Sequence, residues 1–346
     1  MAPMDALLDR GLVPDRLIRA AIRRLLRQRL REEAGASERE AAARFDAWVK
    51  ECSSGPIAVE TKAANDQHYE VPAEFFELVL GPRLKYSSAW FGPGVTDLGA
   101  AEDAMLARSC ARAQLADGQS ILELGCGWGS LTLWMAEHYP NARIVGVSNS
   151  SSQRAFIERR ARARGLRNVE IRTQDMNSFD PGARFDRIVS VEMFEHMRNY
   201  RDLLRRVSTW LHDDGRLFVH VFAHRRFAYP FETSGTSNWM GRHFFTGGQM
   251  PSYDLLPRFD EHLALDERWW EDGTHYARTA EAWLERTDAA RESVLATLTA
   301  VHGAGRARTW LRRWRIFFMA CAELFAFEGG AEWGVAHYRF RKSVAR

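Results

Sequence analysis

A chain of 346 residues that is 46% hydrophobic can build a large core, as one big domain or as a domain with an added lobe. Its net charge of +3 is too weak to argue for nucleic acid, so none is expected as a partner. Its four cysteines (Cys52, Cys110, Cys126, Cys321) form no CxxC pair, no apolar run reaches membrane-span length, and charges interrupt every apolar run near the N-terminus; no disulfide framework, zinc site, membrane span or signal peptide is read, and a reducing cytoplasm is the expected setting.

Residues 1–50 read as helical. With the linker at 52–56 (CSSGP) they form an expected N-terminal extension, 1–60, ahead of a main domain at 61–346. Residues 16–31 hold seven arginines and no acid, with Leu17, Ile18, Ala21, Ile22, Leu25, Leu26 and Leu30 at helical spacing. Such a basic amphipathic helix either packs on the main domain with a solvated arginine face or meets an anionic membrane or partner. Residues 62–92 are dense in aromatics and read as a lid or substrate wall, and a helix follows over 100–116.

From there strands and helices alternate. Strands are predicted at 121–124, 143–147, 169–173, 185–191 and 216–221, with helices at 131–138, 153–164 and 201–211. That alternation predicts an α/β fold with a parallel, doubly wound sheet. Residues 222–275 read as irregular and aromatic, and a substrate-cap insertion is expected at about 222–300. Long helices at about 279–299 and 306–326 and a strand near 333–339 complete the chain.

Glu123-Leu124-Gly125-Cys126-Gly127-Trp128-Gly129 leaves the first strand and opens a helix. Glycines there allow a tight turn and close approach of a ligand, and the helix N-terminus offers free N–H groups. The spacing is GxGxG, not the dinucleotide GxGxxG. The second strand ends in Gly146-Val147-Ser148-Asn149-Ser150, without an acid for ribose hydroxyls. After the fourth strand come Glu192, Glu195 and His196, two carboxylates and an imidazole where an open α/β sheet binds its ligands. They could serve as acid–base groups; capping a helix or steadying a loop is the alternative.

With its hydroxyl at Ser148 and glutamine at Gln153, GVSNSSSQ resembles the cyclopropane-fatty-acid-synthase superfamily of S-adenosylmethionine methyltransferases. NDQHYEVP, KYSSAWF, VEMFEHM with the NY that follows, FFTGGQMPS and AELFAFEGGAEW look most like its plant coclaurine N-methyltransferase-type branch. The resemblance implies a Rossmann-like, mostly parallel sheet with an antiparallel last strand and a helical, aromatic cap. It implies S-adenosylmethionine as cofactor, held by Tyr86, Ser87, Glu123, Gly125, Gly127, Ser148, Asn149, Gln153, Asp175, Met176 and Val191, with Asp175 at the adenine amino group. It implies a small-molecule amine as acceptor, Glu195 and His196 as bases, and Glu192 orienting the amine. Phe75, Phe76, Trp90, Phe222, Trp239, Phe244 and Phe245 are candidates for the pocket wall.

The alternative within the superfamily is cyclopropanation or methylation of an unsaturated acyl chain. There Glu195, His220 and Tyr276 match a bicarbonate cage, and Ser88 stands where a cysteine is usual. Cys321 reads as a buried structural thiol. A non-catalytic scaffold would need no base, and a homo-dimer is left open.

Overall fold

The computed structural model describes residues 3–59, 71–235 and 238–343; residues 65–70 of the NDQHYEVP segment (65–72) lie outside the described residues. The sheet grows from β1 (Ser120–Leu124), where Ile121, Leu122 and Leu124 have no exposed surface. β2 (Arg143–Ser148) and β3 (Val169–Thr173) add on one side of it. β4 (Phe185–Val191) and β5 (Leu211–His224) add on the other, all parallel. Ile144, Val145, Val147, Ile188 and Val189 are as buried as β1. Runs of this kind suit strands covered by helices on both faces. The connecting helices are α6 (Ser130–His138), α7 (Ser151–Ala163) and α8 (Tyr200–Trp210).

β9 (Trp333–Lys342) enters antiparallel between β5 and β8 (Leu263–Glu271), so the seven strands run β3-β2-β1-β4-β5-β9-β8. The expected mostly parallel sheet with an antiparallel last strand is present. The chain reverses its direction of winding between β1 and β4, and a crevice opens at the carboxyl ends of those strands.

Residues 222–275, read as irregular from sequence, contain β8. Asp266, Glu267 and Arg268 break its apolar pattern. They sit on an edge strand, where Arg339 of β9 pairs with Asp266 (2.6 Å) and Glu267 (2.9 Å); charge on an edge guards against unwanted pairing. The same stretch holds a ribbon of β6 (Tyr229–Pro230) and β7 (Gln249–Met250) and the short helix α9 (Trp239–His243). The helix predicted at 279–299 is two, α10 (Gly273–Ala289) and α11 (Arg291–His302). They meet at Ala290 without glycine or proline, and Arg315 grips Asp288 at that corner at 2.6 Å.

α12 (Ala304–Ala326) is the spine of the cap. Its Trp314, Phe317 and Phe318 are buried, and Phe75 and Phe76 of α4 (Ala73–Val79) stack against Trp314 at 4.7 and 6.0 Å. Each such ring contributes about 1.5–3 kcal/mol through burial. The N-terminal helices are α1 (Pro3–Arg10), α2 (Asp15–Ala34) and α3 (Glu38–Glu51). α2 packs Ile18, Ile22, Leu26 and Leu30 on this core. Two of its arginines turn inward: Arg19 meets Glu281 at 2.6 Å and Arg23 meets Glu323 at 2.8 Å. α5 (Leu98–Arg112) precedes β1. Among the described residues no helix is long and apolar enough to cross a membrane.

The cap docks on the sheet where α10 begins. A Cβ on Gly273 would stand 2.2 Å from the carbonyl oxygens of both Phe325 and Trp333. Backbone cannot yield as a side-chain tip does, so Gly273→Ala is expected to lose about 1–3 kcal/mol of stability, read as a lowered midpoint in urea unfolding.

Candidate active site

The loop after β1 is built from left-handed glycines. Gly125, Gly127 and Gly129 have φ of 81°, 51° and 80°. The N–H groups of Gly125 and Cys126 both donate to the carbonyl of Val147 at 3.0 Å, which ties the loop to the end of β2. A Cβ on Gly125 would lie 2.8 Å from the Met193 side chain. The loops after β1 and β4 therefore touch where any other residue would force them apart.

Between these loops lies a cavity of about 1270 Å³, counted out to its mouth. Of the residues expected around a cofactor, Tyr86, Ser87, Glu123, Gly125, Gly127, Ser148, Asn149, Gln153, Met176 and Val191 line it. Asp175 does not. Its carboxylate caps its own turn, accepting from the N–H of Asn177 at 2.7 Å, while the neighbouring Gln174 and Met176 face the cavity. Ser148 donates its hydroxyl to Gln153 Oε1 at 2.6 Å. That leaves Gln153 Nε2 buried without an acceptor among the described residues, where Ser130 Oγ and Trp128 Nε1 are likewise unpartnered. Buried donors without partners are rare, and around a cavity they suit a polar ligand. These groups and the open glycine loop fit a nucleoside-type cofactor. Glu123 accepts from the Thr132 hydroxyl, and burial pushes its carboxyl up to about 7.

The acidic turn follows β4. Glu192 takes a left-handed φ of 51°, uncommon for a residue with a side chain, and its N–H donates to the carbonyl of His220 at 2.9 Å. Glu192 and His196 line the cavity. Glu195 does not; it is buried in the short helical turn Phe194–His196, behind Glu192. Burial pushes both carboxyls up, Glu195 to about 8 and Glu192 further, because Glu192 also faces the Glu195 charge. Two carboxyls this close release their protons one at a time, and the form in which one proton is left between them carries a single negative charge. The His196 ring stacks on Phe245, with centroids 5.9 Å apart and planes at 14°.

The seven expected wall aromatics are not part of the cavity lining. Phe75, Phe76 and Phe244 belong to the core around Trp314. Trp90 stacks on His275, Trp239 tilts against Phe244, and Phe222 meets Phe245 edge-on beside His196. Their helical and strand periodicity is that of packing. Tyr276 stacks on Phe325 at 4.2 Å, and Ser88 donates to the carbonyl of Ala89. Cys321 is a buried free thiol, shifted up by desolvation.

Sequence reasoning passed over Lys85. It is buried, lines the cavity, and its Nζ donates to Ser87 Oγ (2.5 Å) and the Ser88 carbonyl (2.7 Å). Burial pulls its ammonium down to about 8, against the opposing charges of Glu192 and Glu102. The available signal was a lone cation inside the apolar, aromatic run LKYSSAWF. Gln174, Thr246 and Gly247 also line the cavity and carried no such signal.

Residues 58–330 match the family model described as mycolic acid cyclopropane synthetase. The chain belongs to that family. It is 38% identical to the (S)-coclaurine N-methyltransferase of Thalictrum flavum subsp. glaucum, over 97% of this chain and 94% of that one. It is 31% identical to the cyclopropane-fatty-acyl-phospholipid synthase of Escherichia coli K12, over 73% of this chain and 66% of that one. Its structure superposes on a crystal structure of coclaurine N-methyltransferase bound to N-methylheliamine and SAH, with a TM-score of 0.95 and 36% identity, covering 98% and 99% of the two chains. This family member is an S-adenosylmethionine-dependent methyltransferase.

Gly125→Ala would strain a left-handed residue and push it onto Met193. Affinity for S-adenosylhomocysteine, measured by calorimetry, is expected to fall about tenfold or more.

Proposed function

We propose that the enzyme N-methylates a small-molecule amine by base-assisted in-line transfer. The buried Glu192–Glu195 pair beside the glycine-loop cavity carries this reading. A carboxylate charge held out of water calls for a cation. Lys85 answers Glu192 and Glu102 together, which leaves a share for an incoming ammonium. The named N-methyltransferase relatives act in the same sense.

Bound S-adenosylmethionine would supply a methyl carbon on a sulfonium, open to in-line attack by an unprotonated nitrogen, with the C–S bond breaking and the sulfur leaving as a neutral thioether. Tyr86, Ser87, Glu123, Ser148, Asn149, Gln153, Val191 and the glycine loop, which line one cavity, would hold the cofactor. An alkylamine arrives protonated. His196, on the cavity wall, takes that proton and frees the nitrogen lone pair. The Glu192–Glu195 pair keeps its charge throughout and faces the nitrogen, which turns positive again as the C–N bond forms. Glu195 thus acts through Glu192, and the two expected bases divide into one base and one half of an anionic pair.

We also propose a cytoplasmic setting, supported by four free, buried cysteines. Peripheral contact with anionic membrane rests on α2, where Leu17 and Leu25 are exposed among Arg16, Arg24 and Arg27.

The deciding assay offers labelled methyl donor with a panel of benzylic amines or with anionic unsaturated phospholipid vesicles. Label in the amines is expected; label confined to lipid overturns the reading. Glu195→Gln is expected to lower turnover about 10²–10³-fold, the size of a lost preorganised electrostatic contact, with cofactor affinity retained. The activity of the unsubstituted enzyme should rise with pH along a limb displaced upward from the ordinary carboxylate range. Both acidic side chains have raised pKa values, Glu195 to about 8, so the anionic pair is lost as pH falls through that region. A limb near the ordinary glutamate value, found in the pH dependence of kcat, would count against the shared-proton pair.

A further inference from the structure

We propose that Arg112 and His337, on the far side of β5 from the cavity, are positioning residues that fix which nitrogen of His220 carries its proton and aim that N–H at Glu192. The inference rests on the role given to Glu192 above and extends it through four elements of the fold.

His220 of β5 and His337 of β9 are direct partners in the antiparallel register. Both are fully buried, and His337 Nε2 lies 2.8 Å from His220 Nδ1. At the outer end, Arg112 Nη1 of α5 lies 2.5 Å from His337 Nδ1. At the inner end, His220 Nε2 lies 3.3 Å from Glu192 Oε1, and neither atom has a hydrogen-bond partner among the described residues. A line of polar groups therefore runs across β9 and β5 to the end of β4: guanidinium, imidazole, imidazole, carboxyl.

The chemistry of the groups gives the line one direction. A guanidinium has no acceptor and keeps its protons, so Arg112 must donate and His337 Nδ1 must accept. Burial holds both imidazoles neutral, with the charges of Lys85 and Arg112 acting the same way. A neutral imidazole that accepts at Nδ1 carries its hydrogen on Nε2. His337 therefore donates to His220 Nδ1, and His220 in turn presents Nε2–H to Glu192. Because its outer end cannot take up a proton, the line orients and does not conduct.

Arg112 is itself held. It meets Glu271 Oε1 of β8 at 2.5 Å and lies over the Trp269 ring at 4.8 Å, while Arg108 shares Glu271 at 2.7 Å. Glu192 faces Lys85, Glu195, Tyr276 and Cys321 besides His220, and accepts from the Phe222 N–H. Lys85 brings a charge to it, whereas the histidine line brings a neutral donor with a set direction. A donor to the carboxylate form stabilises that form, so removing it raises the carboxyl pKa.

The test reads the tautomers directly. In the full-length protein with ¹⁵N-labelled histidine, both His220 and His337 should show the neutral Nε2–H form and should not titrate where an ordinary histidine does. Arg112→Met should let both rings mix tautomers. It should also move the acid limb of kcat upward by about one pH unit, the size of a hydrogen bond to a charged group, while leaving the KM for S-adenosylmethionine in place. His337→Gln, which can accept from Arg112 and donate to His220, should keep the limb; His337→Leu should shift it as Arg112→Met does. An Nδ1–H form of His220 in the unsubstituted protein overturns the proposal, and so does an unmoved limb in both Arg112→Met and His337→Leu. The tautomer measurement needs no acceptor, so it stands even if the amine reading falls.

Discussion

Two carboxyl groups, Glu192 and Glu195, are kept out of water at the end of β4, and much of the surrounding structure answers that cost. Moving a carboxylate into a protein interior costs several kcal/mol unless charge or hydrogen bonds compensate. Here the compensation comes from separate parts of the chain. In the singly protonated form the two groups share a proton, which removes one charge. Lys85 brings a cation along the strap before α5. That strap is held by Glu102, which accepts from the N–H groups of Arg83 (2.8 Å) and Lys85 (3.3 Å). The left-handed turn at Glu192 is pinned by the carbonyl of His220 on the neighbouring strand. Loosening any of these would leave the charge pair less compensated, so site and fold are stabilised by the same contacts.

The acidic turn is also fixed relative to the cofactor loop. Gly125 and Met193 are in contact because the glycine lacks a Cβ, and the same glycine N–H is tied to Val147 at the end of β2. The three strand ends that carry the glycine loop, the Ser148–Gln153 pair and Glu192 are thereby held in register. In-line methyl transfer depends on that register, since a nucleophile and a methyl carbon must stand about 3–3.5 Å apart and aligned. A parallel sheet covered on both faces is a stiff frame for it, because the strand ends cannot shift singly.

Much of this was legible in the sequence. The strands at β1 to β4 are short apolar runs bounded by turn residues, and the glycine spacing marked the loop between β1 and α6. β8 was not legible, because an edge strand carries charges that erase the apolar pattern, and the corner at Ala290 is set by Arg315 reaching Asp288 from a distant helix. The site divided in the same way. Ser148 and Glu192 sit at strand ends and Gln153 in the first turn of the helix after β2, where chain order places them together. Asp175 lies one residue from two cavity residues, yet its side chain is taken up by its own turn. His220 and His337 are 117 positions apart, and only the antiparallel pairing of β5 with β9 brings them together.

The basic helix α2 shows how composition misleads when read without partners. Its seven arginines suggest a strong positive face, but Arg19 and Arg23 are matched by Glu281 and Glu323 on the cap, and Arg29 pairs with Glu33 within the helix. Partly exposed pairs of this kind add little stability, about 1 kcal/mol each, so their main effect is to cancel charge. What remains outward is a smaller field, around Arg16, Arg24, Arg27 and Arg31, than the sequence implies. The unspent charge that matters for chemistry is instead the single negative charge of the Glu192–Glu195 pair. A hydrocarbon acceptor would leave that charge unanswered in the ground state. On the amine reading proposed above, an ammonium would answer it on arrival, lose its proton while the charge stays in place, and become cationic again as the C–N bond forms and the C–S bond breaks. On that reading the second positive charge would develop beside an anion already oriented to receive it, and the site would need no reorganisation at the moment of transfer.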